Sequence, residues 1–125
     1  MSEALELVNR LSTAIEAGDL ETVQRCYSPD VVVWANFDGK ARGLDSSLRL
    51  LDWLLSGTTD RSYEIVRRIE IEGGVLQQHV LHGTATTGKE FAMPACLVIR
   101  VDDGLITRLD EYLDPAAMAT AFDPS

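Results

Sequence analysis

Residues 105–115 read LITRLDEYLDP, Leu105 to Pro115, and the reading of this stretch decides the fold. Apolar and polar residues alternate as in a half-buried β-strand, whose neighbouring side chains point to opposite faces. Leu105, Leu109 and Leu113 share one face, and Glu111 is on it with them. Asp110 falls on the other face, beside Arg108 and Tyr112. A carboxylate retained on an apolar strand face marks a place where that face meets something other than packed core.

Upstream the same period of two runs back to residue 63. Tyr63, Ile65, Ile69 and Ile71 alternate with mostly polar residues, and EGG turns the chain into a strand over Val75–Thr86. TTGKE links that strand to Phe91–Val101, and DDG links Val101 to the stretch above, so four consecutive antiparallel strands are predicted. Before residue 57 the period is helical. Ala4, Leu7, Val8, Leu11, Ala14 and Ile15 make helix one, closed by Gly18. Asp19 caps a short second helix carrying Leu20, Val23 and Tyr27, which stops before Pro29. DVVVWANF is β-branched and aromatic, hence a strand, and Leu44, Leu48, Leu51 and Leu55 make helix three. Asp114 and Pro115 suit the start of a short terminal helix, PAAMATAF.

Helices gathered at one end and a meander at the other predict an α+β fold, a single domain over residues 1–125. Three N-terminal helices pack on one face of a curved, mainly antiparallel sheet, a cone-shaped α+β barrel. The gap between helices and sheet forms a mostly apolar pocket. A chain of this length buries roughly two thirds of its unfolded surface, enough to hold together without a disulfide.

Eleven basic against twenty acidic residues give a net charge of −9, which disfavours nucleic acid and anionic membranes as partners. The acidic N-terminus lacks the character of a signal peptide and no apolar run approaches a membrane span, so the expected location is cytoplasmic. Cys26 and Cys96 stand apart without Cys-x-x-Cys spacing. His79 and His82 are three apart, which on a strand sends them to opposite faces, so they are not a chelating pair and no metal is expected. No Gly-rich phosphate cradle or nucleophile elbow is present, and no cofactor is expected.

AIEAGDLETV, DVVVWANF, DGKARGLDSSLRLL and VDDGLITRLDEYLDPAAM together resemble the nuclear transport factor two-like superfamily, in its SnoaL-like and limonene-epoxide-hydrolase-like branches. The resemblance covers nearly the whole chain and implies fold better than reaction, because the superfamily includes isomerases, cyclases, dehydratases, epoxide hydrolases and noncatalytic modules. Limonene-epoxide-hydrolase-like enzymes hold a water with a Tyr-x-Asn pair, an Arg-x-Asp pair and a last-strand Asp. By this resemblance Asn36 is retained, Trp34 replaces the tyrosine, Glu111 falls at the last-strand acid, and Val80 and His82 stand where the middle pair would be. Ketosteroid-isomerase-like members carry a base late on the first strand and a tyrosine on helix one, where this chain has Ala35 and Leu11.

His79 shares strand parity with Val75, Gln77 and Leu81, and His82 with Leu76, Val80 and Thr84, so one histidine faces the pocket. Parity leaves the choice open, because a one-residue bulge exchanges the faces; the resemblance selects His82. The expected site therefore has His82 moving a proton, Glu111 orienting or accepting it, and Asn36 fixing a water or substrate oxygen. Trp34, Trp53, Tyr63, Phe91, Met93, Leu11, Val80 and Leu109 are the expected lining. The expected activity is acid–base chemistry without a cofactor on an apolar polyketide-, terpenoid- or steroid-like molecule. The alternative is a noncatalytic ligand-binding or dimerisation module whose pocket is filled by its own aromatic side chains. Val98, Tyr112 and Cys96 on the outer sheet face are expected to form a homodimer.

Overall fold

Helix α1 (Glu3–Ala17) starts where the Ser2 side chain accepts from Leu5 N–H at 3.1 Å, and it ends at Gly18, whose φ of 74° needs a residue without Cβ. Its buried stripe of Leu7, Val8, Leu11, Ala14 and Ile15 lies on the sheet. At about 1.5–3 kcal/mol for each large side chain removed from water, this stripe is the main attachment of the helix. The structure, a computed structural model, describes residues 2–124. Helix α2 (Leu20–Cys26) is capped by Asp19 and is shorter than expected: Tyr27 is already the first residue of β1 (Tyr27–Ala35). A two-residue strand β2 (Ala41–Arg42) precedes α3 (Leu44–Ser56). Four long strands come next, β3 (Thr58–Ile71), β4 (Gly74–Ala85), β5 (Glu90–Asp102) and β6 (Leu105–Leu113), and α4 (Pro115–Phe122) closes the chain with Asp114 as its N-cap.

The sheet is six-stranded in the order β2-β1-β6-β5-β4-β3. The four-strand meander is as the alternation predicts, and β1 joins it parallel to β6. Helices cover one face, giving the α+β architecture of helices on a curved, mainly antiparallel sheet. Among the described residues no helix is long and apolar enough to cross a membrane.

Three one-residue irregularities decide which side chains look inward. On β3 the register passes from Thr59↔Thr84 to Ser62↔His82, and again from Ile65↔His79 to Arg67↔Gln78, each time with one more residue on β3 than on β4. Such a bulge bends the strand and reverses the facing of the residues beyond it. Tyr63 and Ile65 pair with inward residues of β4, and past the bulge at Val66 it is Arg68, opposite Gln77, that does so. On β6 the extra residue is Thr107, between Arg100↔Arg108 and Val101↔Ile106. Consequently Ile106 is fully buried in place of the expected Leu105, while Leu109, Glu111 and Leu113 keep their common face.

Candidate functional site

Between α1, α3, α4 and the inner sheet face lies a hollow of about 450 Å³. Most of its wall is apolar, with Leu11 from α1, Leu51 from α3, Met118 from α4, and Met93, Leu97 and Leu109 from the sheet. Polar groups come from the strands, with Tyr27 at the start of β1, Arg42 on β2, Tyr63 on β3, Gln77 and His79 on β4 and Glu111 on β6, and from the helices, with Ser12 on α1 and Ser47 on α3. A second depression of about 480 Å³, lined by Glu3, Glu70, Asp103 and the glycines of the β3–β4 and β5–β6 turns, is a wide furrow in the surface and holds none of these groups.

Glu111 keeps part of its accessible surface, but that surface looks into the hollow, and protein surrounds the carboxyl on its other sides. Desolvation pushes its pKa up to about 7, because an apolar surround disfavours the charged form. Burial, followed by the nearby Glu111 charge, raises the Tyr27 and Tyr63 phenols above their ordinary value, so both are hydroxyl donors at neutral pH. His79 is 2% exposed, and burial, followed by the Arg68 charge, holds its pKa down at about 4. The Tyr63 ring stands edge-on to the His79 imidazole, centroids 4.7 Å apart.

Among the described residues every fully enclosed side-chain nitrogen or oxygen has a hydrogen-bond partner. The Glu111 carboxyl, the two phenol oxygens and His79 Nε2 make no such bond to another described residue, so these four groups open onto the hollow. The arrangement is one carboxyl poised between its two protonation states, sharing the wall with two phenol hydroxyls and a neutral imidazole. No group of three or more His, Cys, Asp or Glu side chains arranged to hold a metal ion occurs among the described residues.

Several expected site residues lie elsewhere. The β4–β5 register is unbroken from Gly74 to Thr84, so strict alternation holds and, after Gly74 at the start of the strand, the odd-numbered residues Val75, Gln77, His79, Leu81, Gly83 and Ala85 are the buried ones. His82 is therefore on the outer face, its Nε2 2.8 Å from Glu64 Oε1, and Val80 is on the outer face with it. On β1 the inward residues are Val31, Val33 and Ala35. Trp34 points outward, its ring 5.2 Å from that of Tyr112. Asn36 is exposed, and its Oδ1 accepts from Leu113 N–H at 2.9 Å, tying the end of β6 to β1. Phe91 faces inward but is enclosed in the core beside Leu81 and Met93, its ring against Gly83, and does not reach the hollow. Leu11, Tyr63, Met93, Leu109 and Glu111 line the hollow, and Trp53 stands at its mouth, 58% exposed, with its ring 5.1 Å from Phe122.

Ser12, Tyr27, Arg42, Ser47, Gln77 and His79 are lining polar groups that the sequence reading missed or turned outward. Only a weak signal for the facing of β4 was present: the odd set mixes Val75, Leu81, Gly83 and Ala85 with Gln77 and His79, and the even set mixes Leu76 and Val80 with Gln78, His82 and Thr84. Tyr27 carried no such signal, because it sits at a helix–strand junction.

The SnoaL-like domain model matches residues 8–109. Two mycobacterial relatives, the uncharacterized proteins Rv0034 of Mycobacterium tuberculosis and Mb0035 of Mycobacterium bovis, are each 31% identical over 121 residues, covering 90% of this chain and 91% of their own. Among solved structures, an epoxide hydrolase of Mycobacterium tuberculosis that is like limonene epoxide hydrolase superposes with a TM-score of 0.78 at 24% identity, covering 95% of this chain and 88% of that one. IdmH of Streptomyces antibioticus, provisionally assigned as a polyketide cyclase, gives a TM-score of 0.83 at 21% identity over 96% and 98% of the two chains. At these identities the two structures establish the fold and nothing of the reaction.

Proposed function

The chain belongs to the SnoaL-like domain family, and on that premise we propose that its hollow is the active site of an acid–base enzyme, working without a cofactor on an apolar small molecule that carries a carbonyl group. The observation that carries this reading is the unpartnered Glu111 carboxyl in an apolar hollow, with a pKa of about 7. A general acid or base works best when its pKa is near the operating pH. Ionised Glu111 takes a proton from the carbon next to the carbonyl. The C–H electrons move into the new C=C bond, and the carbonyl oxygen becomes an enolate stabilised by donation from Tyr27, Tyr63 and His79 Nε2. Returning the proton to another carbon completes an isomerisation. Attack of the enolate carbon on a second carbonyl forms a C–C bond, and the proton then goes to the new alkoxide, completing a cyclisation.

Epoxide opening fits less well, because Asn36 and Trp34, the counterparts of a water-holding pair, face away from the hollow. A purely binding role fits less well too: Glu111 is not satisfied by protein groups, and Trp34 and Phe91 do not fill the space. The substrate class extends to polyketide-, terpenoid- or steroid-like ketones through the apolar wall. We also propose a cytoplasmic homodimer joined through the outer sheet face, where the Trp34–Tyr112 pair lies and Tyr112 is 51% exposed. A monomer mass in light scattering would refute the dimer.

The test of the activity is incorporation of solvent deuterium next to the carbonyl in a panel of apolar ketones, read by mass spectrometry. Glu111→Gln should lower the rate by about 10²–10⁴. Equal exchange by the variant and the parent protein would end the proposal.

A further inference from the structure

Arg68 reaches the inner face because of the bulge at Val66, and there it begins a chain of hydrogen bonds that ends on His79. Its Nε donates to Gln77 Oε1 at 2.7 Å, its Nη1 to Asn9 Oδ1 at 3.2 Å and its Nη2 to Ser12 Oγ at 3.1 Å. Ser12 in turn donates to the Val8 carbonyl at 3.1 Å, so the guanidinium is anchored on α1. Gln77, 1% exposed, stands 2.9 Å through its Nε2 from His79 Nδ1.

The direction of every link is set by the chemistry of each group. A guanidinium only donates, so the oxygen of the Gln77 amide must be the atom that faces it. The amide nitrogen is then the atom left for His79, and it too only donates. Nδ1 must therefore present a lone pair, which puts the single ring proton on Nε2, the nitrogen that opens onto the hollow. A second ring proton would set an N–H of the imidazolium against an N–H of the amide, in the field of the Arg68 charge.

We propose that Arg68 and Gln77 are positioning residues that lock His79 as a neutral Nε2–H donor to the substrate oxygen, so that His79 fixes charge on oxygen and moves no proton. This rests on the acid–base reading of the hollow, and it divides the labour there: Glu111 alone carries the proton. The contribution of Arg68 is indirect. Its charge orients the Gln77 amide and thereby selects the tautomer.

The test has two arms. In the first, ¹⁵N-labelled histidine spectra of the ligand-free protein should show His79 at neutral pH as a single tautomer protonated on Nε2. Gln77→Glu, nearly isosteric, replaces the facing donor by an acceptor and should move the proton to Nδ1 or give a doubly protonated ring. Gln77→Leu should give a mixture of tautomers. A parent protein with the proton on Nδ1, or a Gln77→Glu protein with unchanged spectra, overturns the lock whatever the protein catalyses.

The second arm measures deuterium exchange into β-tetralone, an apolar bicyclic ketone. Arg68→Met, and Gln77→Glu where its ring proton has moved to Nδ1, should lower kcat by between about tenfold and the ~10²–10³ lost when an oxyanion donor is removed outright, with KM changed less. Arg68→Lys, which keeps the charge and one donor, should recover part of the loss. A tautomer that switches while kcat stays unchanged refutes His79 as a donor to the reacting oxygen. If the parent protein exchanges no proton of the ketone, the acid–base reading fails for this substrate, and the His79 spectra still decide the lock.

Discussion

His79 and His82 lie three residues apart on β4 and face opposite sides of the sheet, one 2% exposed at the wall of the hollow, the other at the surface with its Nε2 2.8 Å from Glu64. Their substitution should therefore have opposite consequences. His82→Ala removes an exposed hydrogen bond to Glu64, a change of about 0–1 kcal/mol, and should leave turnover unchanged. His79→Leu leaves the Gln77 amide without its acceptor and the hollow without the imidazole among its polar groups. Its stability should fall by about 1–3 kcal/mol in urea denaturation, and its deuterium-exchange rate should fall with it.

The pH dependence of stability carries two terms of opposite sign. Glu111, at about 7 in the fold against an ordinary 4.5, keeps a proton that the unfolded chain has released between those values. Stability therefore falls as pH rises through that window. His79, at about 4 against 6.5, refuses a proton that the unfolded chain binds, so stability falls as pH drops from 6.5 toward 4. Each term is on the order of 3 kcal/mol, and where the windows overlap they nearly cancel. Calorimetry from about pH 4 to 8 should show Glu111→Gln more stable than the parent at the alkaline end, with the gain vanishing toward the acid end. A variant whose advantage is independent of pH would contradict the desolvation of Glu111.

A methyl group at residue 74 has nowhere to go. An ideal Cβ there would lie 1.8 Å from the Ile99 carbonyl oxygen on the paired strand, a backbone atom that cannot swing aside. Gly74→Ala should cost about 3 kcal/mol or more, measured by chemical denaturation, whereas Gly39→Ser, in an open turn, should cost much less.

Trp53 reports on the mouth of the hollow. Its ring stacks on Phe122 of α4, which Thr87 also holds through a 2.5 Å hydrogen bond to the Ala121 carbonyl. Trp34, the other indole, lies on the outer face. In a Trp34→Phe background the fluorescence of Trp53 should change when an apolar ketone enters, and Phe122→Ala should abolish most of that change. A response that survives Phe122→Ala would mean that the ligand acts on Trp53 without displacing α4.

Much of the fold was legible because periodicity is a property of neighbours in sequence. The stripe of α1, the leucines of α3, the caps Asp19 and Asp114 and the four-strand meander all stand where spacing put them. Glu111 was legible for the same reason, because Leu109 and Leu113 on either side share its face. The remainder of the site depended on absolute facing. Alternation states only that two residues differ, and β1, with Val31, Val32, Val33, Trp34 and Ala35 in succession, is apolar on both faces. Arg68 was illegible on other grounds: nothing in VRR announces that Val66 is the extra residue of a bulge, since that is settled by pairing with β4.

The bulge at Val66 also bears on how the molecule behaves in a crowd. β3 is the outermost strand on its side of the sheet, fourteen residues long, and Ile65, Val66, Ile69 and Ile71 on it are each more than a third exposed. A straight ribbon of that composition would be a template for strand addition and fibrillar growth. The kink interrupts the row of free amides and carbonyls midway, and Glu16 of α1 occupies another of them, accepting from Tyr63 N–H at 2.8 Å. Removing Val66 would leave the pairing of Arg67 and Arg68 with β4 intact and restore a flat margin, so the shortened chain should fold and then precipitate.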